Sequence, residues 1–290
     1  MKIKITLLFL CFIGTLPCLA QQNPDTIIID GITIIRDNDA DTVVVPERKG
    51  VFKKLNSTIR PKRLKTEWMN IDVGFSNYLD RTNYSSPDPA TQGYAPGSNE
   101  EWFDIKPFRS RNINLWFVTQ ELNLLKHYVH LQYGLGFEFN NYYYKQPIRY
   151  DPEPPAIAHA PVVHLDDTPN RVYKKNKLAA DYITAPLMLN LNLTPDRLYP
   201  FRWGAGISIG YLCASRNKTV TSDEGKKKAK DNFDLRPWKL SYVTELSLGV
   251  VTFYGSIASK SMYQRGLDIT PYNVGIRFRP VSIFSKIETQ

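Results

Sequence analysis

Between Trp68 and Arg279 apolar and polar residues take turns, in eight separate runs. A side chain in an extended chain points to alternate faces, so strict alternation specifies β-strands with one apolar and one polar face. The alternation is plain in Trp68 to Tyr78, where Met69, Ile71, Val73 and Phe75 oppose Asn70, Asp72, Gly74 and Ser76. It recurs in Arg111 to Gln120 and in Val129 to Asn140, then in Ala185 to Leu193 and Arg202 to Tyr211. Leu240 to Leu248, the weaker Phe253 to Ser259, and Tyr272 to Arg279 complete the set. No helix-period pattern competes, so the fold class is all-β.

Period-two runs fit a soluble sandwich as well as a transmembrane barrel, and the two faces decide between them. Large apolar residues crowd one face, with aromatics such as Trp68, Tyr78, Trp203, Tyr211 and Tyr272 near the run ends. Such aromatics match the interfacial girdles of a membrane barrel. The opposite face mixes glycine with charge, as in Gly204, Gly206, Gly210, Glu138 and Arg277. Glycines leave room inside a small barrel for a few large polar side chains. A mean hydropathy of -0.34 does not oppose this, because only alternate residues of a barrel strand face lipid.

The connections add an independent argument. Asp80 to Arg109, Asn141 to Asn176, Arg216 to Arg236 and Lys260 to Pro271 are long. Glu121 to Tyr128, Thr194 to Pro200 and Gly249 to Val251, which fall between them, are short. Strict alternation of long and short connections is the mark of an antiparallel up-and-down transmembrane β-barrel, with short periplasmic turns and long outer loops. Eight strands return the chain to its starting side, which places both termini in the periplasm and the protein in the bacterial outer membrane.

Three regions follow: a signal peptide over 1–20, a periplasmic extension over 21–66 and the barrel over 67–290. Lys2 and Lys4 precede the apolar run Ile5 to Ile13, and Cys18-Leu19-Ala20 supplies a small-residue cleavage site. A lipoprotein anchored at Cys18 is the rival, against which Pro17 stands where a lipobox wants a small residue. In the extension, Thr26-Ile27-Ile28-Ile29 and Ile32-Thr33-Ile34-Ile35 flank Asp30-Gly31, a hairpin signal. Beyond it Arg48, Lys49, Lys53, Lys54, Arg60, Lys62, Arg63 and Lys65 form a basic segment. It reads as a flexible tether, or as a contact with anionic headgroups or a periplasmic partner.

Cleavage would leave Cys213 alone, which excludes an internal disulfide and a thiolate zinc cage. The net charge of +9 would fall to +7 with the loss of Lys2 and Lys4. In an exported chain whose basic residues fall in blocks outside the strands, that excess suits headgroups rather than nucleic acid. Lys226-Lys227-Lys228 reads as a solvated loop tip, with lipopolysaccharide phosphate as the sharper alternative.

Candidate chemistry is sparse. His159, His164, Asp166 and Asp167 share one long loop and could reach a single ion, but four such residues do not make a strong metal motif. His130 faces the expected lumen with Ser208, Glu138 and Glu245, which would suit a lipid hydrolase or, more simply, a satisfied interior network. Asp72, Glu138, Arg202, Glu245, Arg277 and Arg279 would form an ionic network filling the lumen, because an unpaired charge in a narrow interior is costly. No cofactor is expected, and no catalytic residue. The function expected is structural or partner-docking, with a small solute channel and a lipid hydrolase as alternatives; outer-membrane lipid and a periplasmic or outer-membrane protein are the partners.

The stretch Asp181-Tyr182-Ile183-Thr184-Ala185-Pro186-Leu187-Met188-Leu189, and Trp203-Gly204-Ala205-Gly206-Ile207-Ser208-Ile209-Gly210 after it, resemble the PorT-like outer-membrane β-barrel family over Glu67 to Phe284. The resemblance implies a barrel and, in some members, association with secretion machinery; it implies no catalytic residues. Ser285 to Gln290 follow the last aromatic, Phe284, whereas an assembly signal usually ends on one.

Overall fold

The computed structural model describes residues 26–29, 32–35, 64–84, 89–125, 128–152, 160–195, 200–249 and 251–278. The chain divides into two units, residues 1–59 and 60–290. In the first, β1 (Thr26–Ile29) and β2 (Ile32–Ile35) pair antiparallel, Ile29 opposite Ile32, which leaves Asp30-Gly31 as the connection. The expected signal peptide and the basic residues Arg48, Lys49, Lys53, Lys54, Arg60, Lys62 and Arg63 lie outside the described residues, as does Arg279.

In the second unit β3 (Leu64–Asp80), β4 (Arg111–Leu125), β5 (Val129–Tyr143), β8 (Tyr173–Asn192) and β9 (Phe201–Thr221) follow one another. β11 (Trp238–Leu248), β12 (Val251–Ala258) and β13 (Ile269–Phe278) complete the set. Among the described residues these eight strands pair in chain order, and β13 returns to β3 with Arg277 opposite Asp72. The ring is closed and antiparallel throughout, so the barrel offers no free edge. Short strands β6 (Ile148–Tyr150), β7 (Val163–Leu165) and β10 (Gly225–Lys230), with helix α1 (Pro89–Tyr94), lie in the long connections.

Polarity within the ring is inverted relative to a water-soluble protein. Asp72, Ser76 and Asn112 point inward at 0% exposure, while Leu189, Ile209, Val274 and Phe278 point outward at 52%, 49%, 50% and 53%. An apolar belt of that size turned away from the core needs lipid around it. Glycine thins the inner layer where large side chains must pass. A Cβ on Gly136 would lie 2.8 Å from Trp116 Cε3 and 2.5 Å from the Leu115 carbonyl.

Higher up the same strands the polarity reverses. Inward-facing Leu178, Ala180 and Tyr182 of β8 are buried, and outward-facing Lys175 and Lys177 replace the leucines of the belt. The strands run well past the lipid boundary into water, where they fold like an ordinary soluble domain. This is why β8 begins at Tyr173 rather than near Ala185, and why β9 continues to Thr221: the alternation marks only the lipid-facing part. The barrel also begins at Leu64, before the expected boundary at Glu67. Lys65, placed by sequence in the basic segment, is in β3 opposite Glu121 with its ammonium 2.6 Å from Glu67.

Bulges reset which face each residue takes. Phe117 is an extra residue in β4 against β5, so Asn112, Asn114 and Trp116 face in, and beyond the bulge Thr119 does. Beside it Met69 adopts φ 57°, in the left-handed region that a side chain rarely enters, and the alternation of β3 flips there too. Cys213 is the corresponding extra residue in β9.

Candidate functional site

Three layers of polar chemistry fill the barrel. The middle layer centres on Arg277, whose Nε donates to Asp72 Oδ1 at 2.6 Å and Nη2 to Asp72 Oδ2 at 2.9 Å. Its Nη1 donates to Glu245 Oε1 at 2.5 Å, and the guanidinium lies 5.5 Å from the Trp116 ring centroid. Asp72 also accepts from Trp116 Nε1 at 2.7 Å and Asn114 Nδ2 at 3.2 Å. One planar cation thus bridges two carboxylates from β3 and β11, and the remaining lone pairs of Asp72 are satisfied by neutral donors.

Toward the long-loop end a second layer surrounds Glu138. Lys239 bonds it, and Asn140 Nδ2 and Asn273 Nδ2 donate to it at 2.9 and 3.1 Å. Asn112 links this layer onward, donating to Asn140 Oδ1 at 2.9 Å and accepting from the Tyr254 hydroxyl. Lys239 precedes the run Leu240 to Leu248, and nothing in its spacing names it as a partner of Glu138. Its Nζ lies 4.4 Å from the Tyr182 ring centroid, and that ring guides it toward the carboxylate.

At the short-turn mouth Arg202 Nη1 donates to Glu121 Oε1 at 3.2 Å, and His130 Nδ1 lies 4.0 Å from the same oxygen. Arg202 is therefore bound to Glu121 rather than to Asp72, Glu138 or Glu245. The bulge at Phe117 turns Glu121 inward, which alternation alone does not reveal. Ser208, considered with His130 for hydrolysis, shares a 2.7 Å hydrogen bond with Thr184, and the register places it four residues along β9 from Gly204, the residue level with His130. A cavity of about 30 Å³ among Asp72, Trp116, Glu138, Met188, Glu245 and Arg277 remains between the layers. That is space for one or two waters.

Over the other mouth all four long connections fold into a tyrosine-rich cap. Tyr94, Phe103 and Ile105 come from the first, Ile148, Tyr150 and Val162 from the second, Phe233 and Leu235 from the third, Tyr263 and Leu267 from the fourth. The hydroxyls of Tyr144, Tyr150 and Tyr263 form a chain with 2.7 Å steps, and Tyr94 donates to the Phe233 carbonyl at 2.9 Å. Arg265 ties the connections together. Its Nε donates to Asp234 Oδ2 at 2.6 Å and its Nη2 to the Ala160 carbonyl at 2.8 Å, and its guanidinium lies 5.3 Å from the Tyr94 ring centroid.

Burial pushes the hydroxyls of Tyr94, Tyr150 and Tyr263 well above their ordinary value of 10.0. Because the folded cap holds these protons more tightly than the unfolded chain, their contribution is full below about pH 10 and is lost as pH rises above it. The cap is expected to become protease-sensitive above about pH 10 while the barrel stays intact, followed by limited proteolysis against pH. Tyrosinate absorbance rising in a single step at the ordinary value, with the cap still resistant, would contradict this.

The loop residues considered for a metal are otherwise engaged. Asp166 accepts from Arg171 Nη1 at 2.7 Å, from Thr168 Oγ1 at 2.6 Å and from the Tyr173 hydroxyl. Burial alone would raise its carboxyl, and those hydrogen bonds hold it below the usual range instead. His164 lies 2.8 Å from Asp151, Asp167 is exposed, and His159 falls outside the described residues. Among the described residues no three His, Cys, Asp or Glu side chains are grouped to hold an ion.

The family model described as outer membrane protein beta-barrel domain matches residues 112–267, more than half of the chain. No curated protein matches the chain. Among solved structures, Ail, the attachment invasion locus protein of Yersinia pestis, is similar at 10% identity, over 73% of this chain and 98% of that one, with a TM-score of 0.29. That likeness is too remote to carry an argument. The family match, the closed ring and the outward apolar belt agree, and the chain belongs to the outer membrane protein beta-barrel domain family of the bacterial outer membrane.

Proposed function

We propose that this protein is a sealed, non-catalytic barrel that serves as a structural or partner-docking element, of the PorT-like kind, and conducts no solute. The observation that carries the reading is the bridge Asp72–Arg277–Glu245 across the lumen, with a second charged layer at Glu138 and a folded cap beyond it. A barrel of eight strands is narrow enough for side chains to fill, and here they do. With the interior committed to packing, the surfaces left for a partner are the outside of the cap and the extension before β3. Both termini lie in the periplasm in this reading, with the cap outside the cell.

Purified protein in planar bilayers is expected to show no steady conductance. A cysteine label at Gly225 is expected to react in intact cells, and one at Asn123 is not. Removing residues 21–63, which stops short of β3, is expected to leave a folded, heat-modifiable barrel that no longer recovers its partner from native membranes. Steady nanosiemens-scale conductance would favour the channel reading. The reverse labelling pattern would overturn the orientation, and a truncated barrel that kept every partner would move the docking site to the cap.

A further inference from the structure

The upper strands carry cations in a pattern that the fold itself opposes. Lys177 of β8 lies opposite Lys218 of β9, and Lys218 lies opposite Lys228 of β10. All three project outward from β8, β9 and β10, side by side across the three strands. Like charges directly opposite in a sheet are destabilising, and no ion pair among the described residues offsets them here. On that face Asp181 is ion-paired with Arg216 at 2.7 Å, while Glu224 at the hairpin tip is held by Arg149, Arg171 and Lys227.

The row leads into a groove of about 440 Å³ on the outer wall of β4, β5 and β8. Arg109 and Arg111 line one side, Lys175 and Lys177 the other, and Tyr143 forms the floor. The two ammoniums lie 5.3 and 5.5 Å from the Tyr143 ring centroid, and Lys177 also bonds Asn141. At the lower end of the groove is Ile113, the first residue of the apolar belt on β4. The site is therefore cationic where a headgroup would lie and apolar where an acyl chain would descend.

The geometry points to a binding site for a phosphorylated glycolipid of the outer leaflet, its phosphates held by Arg109, Arg111, Lys175 and Lys177 and its chains laid down the belt from Ile113. Guanidinium groups grip phosphate with two parallel hydrogen bonds, and the lysines add point charge. The row Lys177–Lys218–Lys228 would extend contact to neighbouring headgroups, which is what compensates its self-repulsion. The leaflet rests on the orientation proposed above; the phosphate chemistry does not. A free polyanion would account for the charge but not for the adjoining belt.

The test uses the full-length folded protein in neutral-lipid nanodiscs carrying bisphosphorylated lipid A, its dephosphorylated form, or phosphatidylglycerol. Wild type is expected to bind the phosphorylated glycolipid, with affinity falling as salt rises. K175Q/K177Q/K218Q is expected to bind about a hundredfold more weakly, at roughly fivefold per lysine near an anionic surface. In neutral detergent, by contrast, Lys218→Gln alone is expected to melt above wild type because repulsion is relieved, and the order reverses when the phosphorylated glycolipid is added. Equal binding of the dephosphorylated form, equal binding of phosphatidylglycerol, or an unchanged triple variant would overturn the site. A cysteine at Gly225 that reacts only from the periplasmic side would overturn the leaflet, whatever the nanodiscs show.

Discussion

Arg277→Met is expected to be the most damaging single change in the barrel, lowering its unfolding free energy by about 3–5 kcal/mol. The side chain is 4% exposed, and it neutralises Asp72 at 0% and Glu245 at 8%. Truncation leaves two carboxylates facing each other without a cation in a closed interior. Removal of all three charges is a different experiment. In Arg277→Met/Asp72→Asn/Glu245→Gln no member of the bridge is charged, and the amide that replaces the Asp72 carboxylate can still accept from Trp116 and Asn114. Replacing a whole buried ionic group is often close to neutral, so the triple variant is expected to recover most of the loss. Denaturant unfolding in lipid vesicles measures both. Arg202→Gln serves as the comparison: Arg202 is a quarter exposed at the mouth and its pair with Glu121 is long, so a loss below about 1 kcal/mol is expected. Equal losses at Arg277 and Arg202, or a triple variant as weak as the single one, would show that the bridge does not organise the lumen.

The same residues show what a sequence reader could and could not see. Alternation located the lipid-facing part of each barrel strand, because one-sided burial imposes period two wherever a sheet separates two media. Asp72, Glu245 and Arg277 were legible as inward charges for that reason. Their spatial neighbours were not, since register around a closed ring depends on bulges. Phe117 and Met69 shift the phase near the short-turn mouth, turning Glu121 inward to meet Arg202. Likewise, nothing in the spacing of Lys239 says that it bonds Glu138 rather than water. The cap was harder still. Its residues lie in connections where no alternation runs, yet a signal was present: Tyr94, Phe103, Tyr150, Phe233 and Tyr263 are large aromatics that solvated loops have no reason to carry. Aromatics concentrated in long loops, rather than at strand ends, mark loops that pack.

Arg265→Ala is expected to unfasten that cap without opening a pore. The side chain is 18% exposed and reaches three of the four connections through Asp234, the Ala160 carbonyl and Tyr94, while its own backbone supplies the fourth. Losing a mostly buried, charge-assisted staple costs about 2–3 kcal/mol. If the cap opens locally and reversibly, that is roughly thirtyfold to a hundred-and-fiftyfold more open form for a protease to find. Limited proteolysis is therefore expected to cut the long connections at a rate raised by about that factor, leaving a protected barrel of strands. A rate within twofold of wild type would mean that the tyrosine cluster holds the cap without Arg265. Conductance gives the complementary result. The layers at Glu138 and Arg277 lie below the cap and are held by their own partners, so the uncapped barrel is still expected to block solute in planar bilayers. Current appearing in Arg265→Ala alone would make the cap a gate and the lumen beneath it a path, and the sealed-barrel reading would fail at that point.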